Sequence, residues 1–320
     1  MKTLRPLAYI ALVAMLFVAG DRLLAALLER AVDGSEFRYS RLYRGNLNYD
    51  VLAIGDSRAV HSIYAPALSQ RLCRSVLNLA YNGMSTEIAE AVLRDYLERN
   101  APPKAVLIEV SSVTRRNDLL NDIRLYAGEP DHVAALLRRD DPWTATWMGL
   151  SHLYAFNNEM TLRALYYHGR SDQDWVMSGD VRMTPEVVAK LNPANYPPPR
   201  SRAGNVAALK RMVEELAERH IRPILFIAPY HPAYRRLAPS FAAWERQLQD
   251  EIGPANKIVD LSQALPANDD FADVQHVNFN GSQHMVDLVA KGLAPAMPVQ
   301  TVSQCPAPTL PTATLAGASD

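Results

Sequence analysis

The chain has 320 residues, 48% of them hydrophobic and 21% charged, enough for one large domain or two small ones around a sizeable core. Lys and Arg total 33 against 34 Asp and Glu, a formal net charge of -1. That balance gives no broad attraction to nucleic acid, and no zinc-finger or RNP-type signature is present. The two cysteines, Cys73 and Cys305, form no CxxC pair, which argues against a structural zinc site. Cys73 sits among Leu72, Val76 and Leu77 and reads as a small buried hydrophobe, with a disulfide to Cys305 open in an oxidising compartment.

Lys2 and Arg5 precede the apolar run Leu7 to Gly20, a positive segment followed by a hydrophobic one. The run is shorter than the about 20 residues a spanning helix needs. Asp21 and Arg22 interrupt it, and Leu23 to Leu28 is apolar again. Residues 1–30 therefore read as a signal-anchor that stays helical through Leu28, or as a cleaved signal peptide with the small residues Val18 and Gly20 before the cut. The anchor is favoured because the helical pattern does not stop at Gly20. Both readings leave the bulk of the chain outside the cytoplasm, as a single-pass membrane protein facing the periplasm or exterior or as an exported soluble one, with Lys2 and Arg5 inside. An amphipathic first helix of a soluble protein is the remaining alternative.

From Val51 to Val110 short apolar runs alternate with helical patterns. Val51–Ile54, Ser75–Leu79 and Ala105–Val110 read as buried strands. Between the last two, Thr86 to Asn100 carries Ile88, Ala91, Val92 and Tyr96 at helical spacing and stops at Pro102-Pro103. Residues 111–203 differ: they are rich in charge and in aromatics such as Trp143, Trp147, Tyr166 and Trp175, and they show no strand alternation. They predict a helical insertion after the third strand, with helices over Asp131–Arg139 and Ser151–His168 and a proline-rich exit at Asn192–Arg202. The α/β rhythm returns with a helix over Gly204–His220, a strand at Pro223–Ala228, a helix over Phe241–Ile252 and a fifth strand at Lys257–Leu261. A last helix opens at Asn280 or Ser282 and runs to about Leu293. Residues 295–320 are rich in Pro, Thr and Ala and predict a disordered tail. Strands alternating with helices imply an α/β fold with parallel pairing.

Two short motifs carry chemistry. Gly55-Asp56-Ser57 directly follows the first strand, so Ser57 faces the crevice where open α/β sheets hold ligands. A helix beginning there aims its amides at developing negative charge. By itself the tripeptide equally suits a helix cap. Asp273-Val-Gln-His276 lies in the loop before the last helix. A serine nucleophile needs a base, histidine serves near neutral pH, and a carboxylate fixes its tautomer. His231, in Pro229-Tyr-His-Pro232 after the fourth strand, is a candidate substrate contact or a loop histidine. Arg58 and His61 line a pocket or sit on the following helix.

The order of Ile54-Gly55-Asp56-Ser57, Asn82-Gly83 and Asp273-Val-Gln-His276-Val-Asn-Phe-Asn-Gly281 resembles the SGNH (GDSL-like) hydrolase superfamily, over Val51–Val110 and Arg222–Leu293. The resemblance implies a three-layer α/β/α sandwich around a mainly parallel five-stranded sheet, over 45–293. It implies Ser57 as nucleophile, His276 as base, Asp273 as its orienter, and an oxyanion site at the amides of Ser57 and Gly83 beside Asn82. The family's Asn after the third strand is missing: the place reads Glu109-Val-Ser111-Ser112, with Asn117-Asp118 several residues late. Ser111, Ser112 or Asn117 would stand in, or the site has two donors only. The resemblance further implies an acyl-ester hydrolase or O-acyltransferase, with an acylated glycan or other acyl ester as substrate and a membrane acyltransferase as partner. No metal or cofactor is expected. The alternative is a catalytically silent SGNH-fold protein that binds glycan or scaffolds an envelope complex.

Overall fold

The computed structural model describes residues 4–128, 131–172, 177–196 and 198–293. The tail expected over 295–320, Cys305 and Trp175 lie outside the described residues. Two compact units divide the chain: Met1–Leu47 with Ala91–Asn100 and Asn117–Asp172, and Asn48–Glu90 with Ala101–Arg116 and Gln173–Asp320.

The second unit holds the sheet. Its strands are β1 (Val51–Ile54), β2 (Val76–Asn78), β3 (Ala105–Glu109), β4 (Arg222–Ile227) and β5 (Ile258–Asp260). All pair in parallel, in the order β2-β1-β3-β4-β5. Every residue of β1, β2 and β3 is buried. Both faces of a parallel sheet are covered, so its strands are continuous apolar runs rather than alternating ones. From β1 the chain steps outward to β2, then returns past β1 to β3, β4 and β5. Parallel crossovers are right-handed, so the two directions of travel put connecting helices on opposite faces. Ala65–Leu72 packs with the final helix Phe279–Leu293, and Ala203–Glu218 packs with Phe241–Ile252. The result is a three-layer α/β/α fold with a parallel five-stranded sheet. The crevice between the carboxyl ends of β1 and β3, where the direction reverses, is the place such sheets hold ligands.

The first unit is helical. Its N-terminal helix runs Leu4–Asp33 without a break, and the segment Ala8–Asp33 is long and apolar enough to cross a membrane. Asp21, Ala25 and Val32 are buried on one side of it while Leu23, Leu24 and Leu27 on the other are exposed. Asp21 accepts hydrogen bonds from Ser151 Oγ (2.5 Å) and from the amides of His152 (2.9 Å) and Leu153 (3.2 Å). A buried ion pair joins Arg38 Nε to Asp172 Oδ2 at 3.1 Å.

The insertion is helical but more broken than its sequence pattern suggests. The helix expected over Ser151–His168 is a 3-10 turn at His152–Phe156 followed by a helix at Glu159–Tyr166. Asn158 breaks it, since its Oδ1 accepts the Thr161 amide at 2.9 Å and caps the second piece. Residues Asn117–Asp172 of the insertion group with the N-terminal helix, and those from Met177 onward group with the sheet.

Candidate active site

Ser57 is the first residue of the helix Ser57–Ser62, at the carboxyl end of β1. Two features make this turn tight. Gly55 has φ +149°, and a Cβ there would stand 2.8 Å from the Glu109 Cβ and 3.1 Å from the Ala59 Cβ, so only glycine fits. Asp56 caps the helix, its Oδ1 accepting the Arg58 amide at 2.9 Å. The first amides of a helix have no intrahelical acceptor, and that of Ser57 is one of them. Gly83 lies in a turn closed by the Met84 amide on the Tyr81 carbonyl at 3.1 Å. Its φ of +76° is what a type II turn demands at its third position, and open space surrounds it. Asn82 and Gly83 are both exposed.

The other end of the chain supplies a histidine and a carboxylate. Asn278 caps the final helix: its Oδ1 accepts the Gly281 amide at 3.1 Å, two residues before the start expected from sequence. Just ahead, Phe271 and Val277 form an antiparallel bridge, and the Ala272 amide bonds the His276 carbonyl at 3.0 Å. The loop between is thereby closed on itself. Within it Asp273 Oδ1 accepts the amides of Gln275 (2.7 Å) and His276 (2.9 Å). Asp273 Oδ2 lies 2.8 Å from His276 Nδ1, and His276 Nε2 lies 2.8 Å from Ser57 Oγ. A carboxylate only accepts, so Nδ1 carries the ring proton and Nε2 accepts from the serine hydroxyl. Burial alone would raise the Asp273 carboxyl, but the His276 hydrogen bond, the His276 charge and the two amides outweigh it and hold it below the usual carboxylate value. His61 packs its ring edge-on against His276, with centroids 5.4 Å apart.

The chain has a parallel α/β fold with Ser57 at the carboxyl end of β1, in reach of His276. No curated protein matches the chain by sequence, and one protein-family model matches residues 201–297. Several solved structures resemble it at low identity. One, from Desulfitobacterium hafniense DCB-2 and described as a lipolytic protein of the G-D-S-L family, is 13% identical with a TM-score of 0.39, covering 76% of this chain and 99% of its own. A lipase/acylhydrolase from Enterococcus faecalis is 14% identical with a TM-score of 0.40, covering 78% of this chain and 98% of its own. A protein described as a platelet activating factor from Streptococcus pneumoniae is 12% identical with a TM-score of 0.40, covering 91% and 99%.

Two expected contacts differ. Ser111 was a candidate oxyanion donor, yet its amide and hydroxyl both donate to Glu109 Oε2, at 3.1 and 2.6 Å. His231 was a candidate substrate contact, yet it is buried and caps the helix Pro232–Leu237. Its Nδ1 accepts the Ala233 amide at 3.1 Å and its Nε2 meets Asn268 Oδ1 at 2.9 Å, so both ring nitrogens are occupied.

A charged layer beneath the serine was not read from sequence. Glu109 is fully buried at the end of β3 and pairs with Arg58 Nε at 3.4 Å. It also accepts the Ala228 amide at 3.2 Å, tying the ends of β3 and β4. The Arg58 guanidinium bonds the Ala228 carbonyl and lies over the Tyr230 ring. Asp56 Oδ2 pairs with Arg115 Nε at 2.6 Å, and the Asp56 charge holds the Arg115 guanidinium above its usual value. A lone glutamate at the end of an apolar strand was the available signal, because a buried carboxylate needs a partner. Arg58 and Gln275, the neighbours of Ser57 and His276, line a cavity of about 660 Å³ together with Arg115, Arg202, Tyr196 and Trp244.

Among the described residues Asp95, Glu98 and His132 form one group of metal-ligand type. Asp95 accepts the Tyr43 hydroxyl at 2.8 Å and the His132 amide at 2.7 Å, and His132 Nε2 meets Glu98 at 2.7 Å, so the group is held by its own hydrogen bonds.

Proposed function

We propose that the chain is a serine-dependent acyl-ester hydrolase or O-acyltransferase, held at the membrane by its N-terminal helix and acting outside the cytoplasm on an acylated (acetylated) polysaccharide. The observation that carries the reading is the unbroken relay from Ser57 Oγ through His276 to Asp273. Ser57 Oγ attacks the acyl carbonyl carbon as His276 Nε2 takes its proton. Asp273 steadies the imidazolium, and its hydrogen bonds keep it ionised for that task. The amides of Ser57 and Gly83 receive the oxyanion. His276 then returns the proton to the departing alkoxide, leaving an acyl-serine. Water completes a hydrolase; a sugar hydroxyl activated by His276 completes a transferase.

The cavity beside the relay suits a glycan: Tyr196 offers a face for a sugar ring, and Arg115 and Arg202 offer donors to hydroxyl or acid groups. Lys2 and Arg5 before the apolar helix support an outward-facing domain. A membrane acyltransferase is the partner that would deliver acyl groups to such a site.

The engagement of Ser111 with Glu109 favours a second reading, a silent glycan-binding protein, because a missing oxyanion donor costs about 2.7–4 kcal/mol of transition-state stabilisation. Acetate release from an O-acetylated polysaccharide, measured with the wild type and Ser57→Ala, separates the two. Release that disappears in the variant supports the enzyme. A wild type that binds the polymer and releases nothing supports the binder.

A further inference from the structure

Among the described residues, the most exposed large apolar side chains outside the N-terminal helix cluster in one stretch of the helical unit. On the helix Pro142–Leu150, Trp143 is 75% exposed, and Trp147 and Leu150 follow it at a spacing of four and three residues on the same outer face. On the helix Glu159–Tyr166, Leu162 is 69% exposed and shares its outer face with Leu165 and Tyr166. Each helix turns an apolar stripe outward, the reverse of the usual arrangement. Contiguous exposure of this kind marks an interaction surface.

What covers it follows from its attachment. Ser151, directly after Leu150, and His152 and Leu153 hold Asp21 of the N-terminal helix. The helix Glu159–Tyr166 also packs against the N-terminal helix. The depth of Asp21 in a bilayer is set by chain length. The apolar run 7–20 rises about 21 Å at about 1.5 Å per residue, while the hydrocarbon layer is about 30 Å thick. Leu23, Leu24 and Leu27, which are exposed on the side of the helix away from Asp21, therefore complete the apolar span. Asp21 and the segment that holds it then lie within about 9 Å of the outer end of that span, close to the interface where tryptophan and tyrosine are favoured because one ring can touch both hydrocarbon and headgroups.

We infer that the two stripes, Trp143/Trp147/Leu150 and Leu162/Leu165/Tyr166, form a lipid-contacting collar that seats the helical unit in the bilayer interface. The collar rests on the reading of residues 4–33 as an uncleaved anchor. Its occupant is the lipid surface itself.

The test uses the full chain reconstituted into phosphatidylcholine/phosphatidylglycerol vesicles, with and without bromine on the acyl chains. Trp143 and Trp147 are two of the four tryptophans. Brominated lipid should remove roughly half of the tryptophan emission, and acrylamide in the water should lose access to the same fraction. In Trp143→Phe/Trp147→Phe, a conservative change at exposed positions, the lipid-dependent loss should vanish. Full acrylamide access with no bromine quenching overturns the collar while leaving the anchor standing. Shielding from both quenchers overturns it in favour of a protein covering the stripes. Failure of the chain to stay with the vesicles overturns the anchor and the collar together.

Discussion

Replacing Glu109 by Ala isolates the buried charge layer next to Ser57. The substitution strands the Arg58 guanidinium, 2% exposed, without its counter-charge. It also leaves the Ala228 amide and the amide and hydroxyl of Ser111 without their acceptor. Removing one member of a buried ion pair costs about 3–5 kcal/mol. With a urea slope of about 3 kcal/mol/M, that predicts a midpoint lower by about 1–1.7 M. The double variant Glu109→Ala/Arg58→Met removes both charges and should regain part of the loss, with a coupling energy of about 1–3 kcal/mol. Urea unfolding in mild detergent, followed by tryptophan emission, measures both. A Glu109→Ala midpoint within about 0.3 M of wild type would refute the reasoning, because it would mean that the pair contributes nothing net. The pH dependence gives a second check. Burial is the main force raising the Glu109 carboxyl above its ordinary 4.5, although Arg58 opposes it. A carboxyl raised in the folded state takes its proton there before it does so in the unfolded chain. As pH falls through the raised value toward 4.5, wild type should therefore gain stability relative to Glu109→Gln.

Asp273→Asn should lower kcat/KM for an activated ester by about 10⁴-fold, because the amide no longer fixes the His276 tautomer, with little change in KM. Steady-state kinetics on p-nitrophenyl acetate check this, and a loss under tenfold would contradict the assigned role. Gly281→Ala would put a Cβ into the Asp270 carbonyl and within 2.8 Å of the Val277 Cβ. It should push the Asp273–His276 loop outward and lower kcat by about 100-fold, since misplacement by about 1 Å has that effect. His231→Ala should cost about 0.5–2 kcal/mol of stability by loss of a helix cap and leave ester kinetics unchanged. A rise in KM without a stability loss would return His231 to the substrate site.

Much of this was legible in the sequence because the sheet unit obeys local rules. The five apolar runs became five strands with edges shifted by a residue or two, most plainly at β1, β2 and β3, whose burial on both faces leaves a continuous apolar signature. Gly55, Gly83 and the Asp273–His276 spacing were readable because a positive φ or a one-turn contact restricts residue choice locally. The remainder depended on partners distant in the chain. Nothing near His231 announced that Asn268, 37 positions later, would engage it. Asp21 looked like an interruption of the apolar run, and its meaning is a cap for residues some 130 positions later. The break at Asn158 was masked by apolar residues that kept helical spacing on both sides of it.

The proposed chemistry requires Ser57 to be a nucleophile activated by His276. Labelling of the purified full chain with a fluorophosphonate serine probe tests it most directly, run beside Ser57→Ala and His276→Ala. The wild type should label, Ser57→Ala should not, and His276→Ala should label much more slowly. A folded wild type that takes up no probe, or a Ser57→Ala variant that labels as fast as wild type, would contradict it.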